Sequence, residues 1–152
     1  MNIDLDTLQS LDDATYKVDV AFDNDGNATA GFEIVGKDST AYRDAAHRMR
    51  VTSIKRAAIK SQRIDTKTEQ GAETLDALVQ SNELELAVAA TVGWYGFTDK
   101  GAPAAFTADA VRRAYTVRPT WREKVTAALE NESNFLQPLL TISATSPALT
   151  SA

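Results

Sequence analysis

The first periodic stretch of the chain has a period of two. Tyr16, Val18, Val20 and Phe22 alternate with Lys17, Asp19 and Ala21, the pattern of a strand with one buried face. Asp23-Asn24-Asp25-Gly26-Asn27 follows. These residues tolerate positive φ or bond their own backbone, so they predict a turn before a second strand over Gly31-Phe32-Glu33-Ile34-Val35. The pair reads as an antiparallel hairpin over 15–36. Alone in water a hairpin is marginal, so this one must pack on helices or pair its edge with something else.

Beyond Gly36 the period lengthens. Gly36-Lys37-Asp38-Ser39-Thr40 offers a breaker and then capping residues, and no Gly or Pro interrupts the chain from Ala41 to about Arg63, which predicts a long helix. Its apolar positions Tyr42, Ala45, Ala46, Met49, Ile54, Ala57 and Ala58 are small or widely spaced, a thin stripe that packs weakly and on one side only. Thr66-Lys67-Thr68-Glu69 and Asn82-Glu83-Leu84-Glu85 both have capping-box spacing and predict two further helix starts, the helices nearly continuous. In the second, Leu84, Ala87, Val88, Thr91, Trp94 and Tyr95 recur at the i, i+3, i+4, i+7 spacing of a central core helix. Gly93 and Gly96 bracket Trp94-Tyr95, and turn-rich residues from Phe97 to Pro103 end that helix.

Thr107 is placed to cap a short helix from Ala108 to about Thr116, and Pro119 suits the first turn of a last helix. There Trp121, Val125, Ala128, Leu129, Phe135 and Leu136 form one face. The fold class expected is mainly α with a small amino-terminal antiparallel β-hairpin: four to five helices, over 40–136, packed in one domain that spans 15–137. An acidic segment over 1–14 precedes it. From Pro138 on, uncharged Thr, Ser and Ala with two prolines show no period and predict a flexible tail over 138–152.

A chain of 152 residues is the usual size of one domain and can bury roughly 70% of its unfolded surface. Its 43% hydrophobic and 24% charged residues are those of a globular protein. Without cysteine there are no disulfides, thiolate metal sites or thiol chemistry. The start, Met1-Asn2-Ile3-Asp4-Leu5-Asp6, is acidic where a secretory signal is basic and then apolar. The most apolar run, Leu84 to Phe97, is interrupted by Glu85 and falls short of the roughly 20 residues of a membrane-spanning helix. A soluble cytoplasmic protein is expected.

Charge falls in blocks. Residues 1–38 carry nine acids against Lys17 and Lys37, and residues 39–67 carry Arg43, Arg48, Arg50, Lys55, Arg56, Lys60, Arg63 and Lys67 against Asp44 and Asp65. Residues 68–98 hold five acids and no Lys or Arg. Such blocks either attract one another within the fold or present separate faces to partners.

Candidate chemistry is sparse. The one histidine, His47, stands among Arg43, Asp44, Arg48 and Arg50 with no companion ligand set, and reads as a surface residue. Asp23 to Asn27 begins like a calcium loop, but position twelve, which needs a bidentate Glu, is Ile34, and strands flank the segment. Gly36-Lys37 lacks the upstream glycine of a phosphate loop, and no serine sits in a nucleophile elbow. No catalytic residue, metal or cofactor is expected. The basic helix with Arg48, Arg56, Lys60 and Arg63 raises nucleic-acid binding. Against that stand the acidity of the whole chain and the scarcity of stacking aromatics in the helix; an acidic protein surface fits as well. Trp94, Tyr95, Phe97 and Phe106 gather around one turn, either as aromatic core or as a groove, partly exposed, for a partner helix.

Taken in order, Leu86-Ala87-Val88-Ala89-Ala90-Thr91-Val92-Gly93-Trp94-Tyr95-Gly96-Phe97, Gly101-Ala102-Pro103-Ala104-Ala105-Phe106-Thr107, Trp121-Arg122-Glu123-Lys124-Val125 and Asn134-Phe135-Leu136 resemble tail assembly chaperones of long-tailed bacteriophages. Phe22-Asp23-Asn24-Asp25-Gly26 and Gly31-Phe32 look like the strand-rich start of those proteins. The resemblance implies a small protein of the infected cell's cytoplasm that binds the tape measure protein, shields its apolar helices and helps recruit tail tube subunits, and it leaves room for a homo-oligomer. The competing expectations are a structural virion component, such as a minor head, connector or tail protein, and a nucleic-acid-binding regulator acting through the basic helix.

Overall fold

In the computed structural model of the chain, residues 4–7, 12 and 14–135 are described. The alternation from Tyr16 to Phe22 becomes β1 (Thr15–Phe22), which pairs antiparallel with β2 (Ala28–Val35) in a register that sets Val18 opposite Phe32 and Thr15 opposite Val35. Between them Asp23 Oδ1 accepts the backbone N–H groups of Asp25 and Asn27, both at 2.9 Å, and Gly26 takes φ +84°. The acids of this segment therefore close a turn.

The sheet is more than a hairpin. The stretch expected to continue the core helix to Tyr95 is instead β3 (Thr91–Tyr95), paired antiparallel on the free side of β2, so the order is β1-β2-β3 with β2 central. Thr91 and Val92 are β-branched and Trp94 and Tyr95 aromatic, residues that fit a pleated surface better than a helix interior. A central strand is covered on both edges, and β2 is correspondingly buried: Phe32 and Ile34 are fully inaccessible.

Ser39 caps α1 (Thr40–Ala58) by accepting the Tyr42 N–H, and Asp12 accepts the Thr40 N–H at 2.6 Å. The helix stops short of Arg63; Lys60–Gln62 form one 3-10 turn, and Arg63 Nε donates to the Ala57 carbonyl. Of α1 only Ala45 is buried, as its thin apolar stripe leads one to expect. The two helices predicted after Thr66 are one, α2 (Glu69–Ala90), capped by Thr68. Asn82 starts nothing, because no residue before it stops the helix and a capping signal inside an uninterrupted helix has no free N–H groups to satisfy.

Two-residue strands β4 (Thr98–Asp99) and β5 (Ala102–Pro103) form a small ribbon. Then come α3 (Ala108–Val117), capped by Thr107, and α4 (Pro119–Glu130) with proline in its first turn, followed by a 3-10 turn over Glu132–Phe135. The described residues thus form a mixed fold of four α-helices and a three-stranded antiparallel sheet, beside the two-stranded ribbon.

One core joins them. Phe32 sits at its centre, with ring centroids 4.8 Å from Tyr115, 5.1 Å from Phe97, 6.1 Å from Trp121 and 6.4 Å from Trp94. Ala87 and Val88 of α2, Val111 of α3, Val125 and Leu129 of α4, and Phe135 complete it. Each such large side chain contributes about 1.5–3 kcal/mol on burial. Leu136 and the tail expected over 138–152 lie outside the described residues, as does most of the acidic segment over 1–14.

Candidate partner-binding surfaces

The turn after β3 is built by backbone chemistry. Gly96 has φ +80° and lies so close to Thr29 and Ala30 that a Cβ would collide with the Thr29 carbonyl. Lys100 and Gly101 turn the β4–β5 ribbon at φ 52° and 84°. The Ala104 N–H then closes the loop on the Phe97 carbonyl at 2.9 Å, and the Trp94 indole N–H donates to the Ala104 carbonyl at 3.3 Å.

That closure stands Phe106 edge-on against Trp94, with centroids 5.6 Å apart and planes at 82°. Trp94 in turn lies 4.8 Å from Phe97, and Phe97 lies 5.8 Å from Trp121. Trp94, Phe97 and Trp121 floor an open groove of about 560 Å³ whose walls include Ala104, Ala110, Ala114 and Val117, and Phe106 packs against Trp94 outside its lining. The rings are half-buried rather than sealed; Phe106 keeps 41% of its surface exposed and Val117 66%. Arg118 lies over the Trp121 ring at 4.9 Å, and Arg113 and Asp99 also line the groove, so its aromatic floor is bordered by charge.

Tyr95 does not join this group. Strand alternation turns it to the other face of the sheet, where its hydroxyl bonds Asp19 and Lys17 lies over its ring at 5.5 Å. The bond to Asp19, which strengthens the neutral phenol, raises its pKa to about 12, with burial adding to the effect.

The basic residues occupy a second place. Arg48 and Arg56 line a groove of about 590 Å³ between α1 and α2, together with Met49, Leu78, Glu85 and Arg112. Arg112 of α3 is held there by both Glu85 oxygens, at 2.8 and 3.0 Å, and by Asp109 at 2.6 Å. The hydrogen bond from Arg112 lowers the Glu85 pKa against a smaller opposing effect of burial. Lys60 and Arg63 lie at the far end, in the connection between the helices. None of the α1 cations forms an ion pair among the described residues, so the acidic hairpin does not neutralise the basic helix by direct pairing.

The eight residues singled out from the sequence therefore divide. Trp94 and Phe97 share the aromatic groove, with Phe106 against Trp94 but outside the lining; Arg48 and Arg56 share the interhelical one; Lys60, Arg63 and Tyr95 belong to neither. Val117 and the alanines of α3, which shape the aromatic groove, gave no sequence signal, since an exposed apolar residue in a short helix is ordinary. His47 is exposed beside Arg43, Asp44 and Arg50. Among the described residues no three or more His, Cys, Asp or Glu side chains converge as for a metal ion, and no helix is long and apolar enough to cross a membrane. Compared with models of protein families, with curated proteins and with solved structures, the chain matches none.

Proposed function

We propose that the chain works by binding rather than by catalysis, as a tail assembly chaperone of a long-tailed phage. In this reading it acts in the host cytoplasm, covering apolar helical segments of the tape measure protein until tail tube subunits displace it. The observation that carries the reading is the aromatic groove. Trp94, Phe97 and Trp121 form a floor that is half-buried without a partner, and Val117 stands exposed at its lip. A helix laid into such a groove buries anchors at i, i+3, i+4 and i+7 and removes the exposed rings from water, which stabilises the complex by burial alone. The likeness of residues 84–136 to the chaperones falls on the segment that builds this groove.

Co-expression with the tape measure protein of the same phage tests it. The expected result is a soluble tape measure protein that co-purifies with the chain; a tape measure protein that stays insoluble and unbound overturns the proposal. A structural virion role is separated by mass spectrometry of purified particles, in which a chaperone is depleted and a virion component is abundant.

A further inference from the structure

The helical hairpin formed by α1 and α2 carries a second unpartnered surface, apart from the aromatic groove and independent of the function proposed for it. Along α2, Ala72, Leu75, Val79, Asn82 and Leu86 recur at alternating spacings of three and four, the positions that line one seam of a coiled coil. Leu75 and Val79 are 39% and 44% exposed although they stand in mid-helix. On α1 the same spacing selects Arg43, Ala46, Arg50, Ser53 and Ala57, small residues interrupted by two guanidinium groups. Ser53 and Asn82 both line the groove between the helices. Antiparallel right-handed helices turn in opposite senses when viewed down one axis, so the two seams emerge on the same side of the hairpin. Glu85 of α2 and Arg112 of α3 line that groove as well.

Charge says what fits there. The α1 helix holds Arg43, Arg48, Arg50, Lys55 and Arg56 against Asp44, whereas α2 holds Glu69, Glu73, Asp76, Glu83 and Glu85 with no Lys or Arg. A basic helix and an acidic, apolar-seamed helix side by side make a surface that is complementary to itself under a two-fold rotation. The flanking acids of α2 also disfavour a phosphate backbone lying along α1.

The geometry points to a second copy of this chain as the occupant: two α1–α2 hairpins pack about a two-fold axis parallel to the helices, forming a four-helix bundle in which α1 of each copy lies on α2 of the other. Leu75 and Val79 enter its core, the small α1 residues allow close approach, and the helices at each contact run antiparallel. Residues 45–56 of α1 share one groove with residues 78–89 of α2, which sets the middle of α1 beside the second half of α2. Arg50 therefore meets Glu83 of the second copy, twice by symmetry, and neither residue has an ion-pair partner among the described residues of its own chain.

Sedimentation equilibrium of the full chain tests this. The expected species has twice the 16.4 kDa chain mass. Arg50→Glu and Glu83→Arg each place two like-charged pairs in the interface and weaken the dimer by roughly tenfold or more. An equimolar mixture of the two variants restores it, because every substituted carboxylate then faces a substituted guanidinium. Val79→Lys abolishes association, and an unchanged far-UV spectrum shows that each variant remains folded; should Arg50→Glu unfold, Arg50→Gln serves in its place with a smaller loss. A chain that is monomeric at every concentration, single variants that dimerise as the parent does, or a mixture that stays dissociated would each overturn the proposal.

Discussion

The Tyr115 hydroxyl lies 2.7 Å from the Thr91 hydroxyl inside the core, and Thr91 Oγ1 lies 2.7 Å from the Ala87 carbonyl. A carbonyl only accepts, so Thr91 donates its single proton to Ala87 and accepts from Tyr115. Thr91 is both the C-cap of α2 and the first residue of β3. One buried chain of hydrogen bonds therefore fixes where helix gives way to strand and ties that point to α3. Thr91→Val keeps shape but leaves the Tyr115 hydroxyl without an acceptor, at an expected cost of about 1–3 kcal/mol. Adding Tyr115→Phe removes the orphan, so the double variant loses less than the sum of the single ones in urea unfolding; strict additivity would contradict the coupling.

Alkaline stability follows from the same phenol and from Tyr95. Burial pushes Tyr115 up beyond the ordinary tyrosine range, and the bond to Asp19 pushes Tyr95 from 10.0 to about 12. Both groups hold their protons more tightly when folded. Their contribution is thus complete below pH 10 and lost as pH rises from there through the folded values, the unfolded chain being the better acid. The urea midpoint is expected to fall steeply across this window, and Tyr95→Phe to make the fall shallower. An unchanged slope in that variant would show that the Asp19 bond does not hold the proton.

Much of the fold was legible because its signals are local. The turn at Asp23–Asn27, the caps at Ser39 and Thr107 and the proline opening α4 each act within a few residues, whereas the capping box expected from Thr66 gives way to a cap at Thr68, two residues on. The strand at Thr91–Tyr95 was not, and the register shows why. Gly93 faces Glu33, whereas Thr91 faces the next residue, Ile34, so Val92 is the extra residue of a bulge. The bulge leaves Val92 exposed and turns both Thr91 and Trp94 toward the core. Inward positions three apart imitate helical spacing, and only pairing with a distant strand distinguishes the two. The aromatic groove was half legible for a related reason: Trp94, Phe97 and Phe106 are near one another in sequence, whereas Phe32, Tyr115 and Trp121 reach them only through the fold.

Gly96 is the hinge of that assembly. At φ +80° it occupies a region that residues with a Cβ enter at a cost, and its absent side chain makes room for the Thr29 carbonyl and Ala30. Gly96→Ala combines backbone strain with a collision against β2 itself, which cannot yield without disturbing the central strand. A loss of about 3 kcal/mol or more is expected, seen as a lowered urea midpoint. Gly101, also at positive φ but with open space around its missing Cβ, bears the strain alone, so Gly101→Ala costs about 1 kcal/mol. Equal losses at the two positions would show that the close approach contributes nothing.

The groove itself is best probed at its lip. Val117 ends α3 with 66% of its surface exposed beside Trp121. A lysine there suits the carboxyl end of a helix, where the macrodipole favours positive charge, so Val117→Lys is expected to leave the thermal midpoint within about a degree or two of the parent. An apolar helix entering the groove must desolvate that ammonium or leave the lip unfilled, and binding to a tape measure segment is expected to weaken at least tenfold, or about 1.4 kcal/mol. Val92, 44% exposed on the bulge of β3 and absent from the groove lining, supplies the control, since Val92→Lys adds the same charge without touching the proposed seat. Titration calorimetry on the two variants separates a local effect from a general one. If both weaken binding alike, the charge acts at a distance and the groove is not where the helix lies; if only Val117→Lys does, the ring-floored groove holds it.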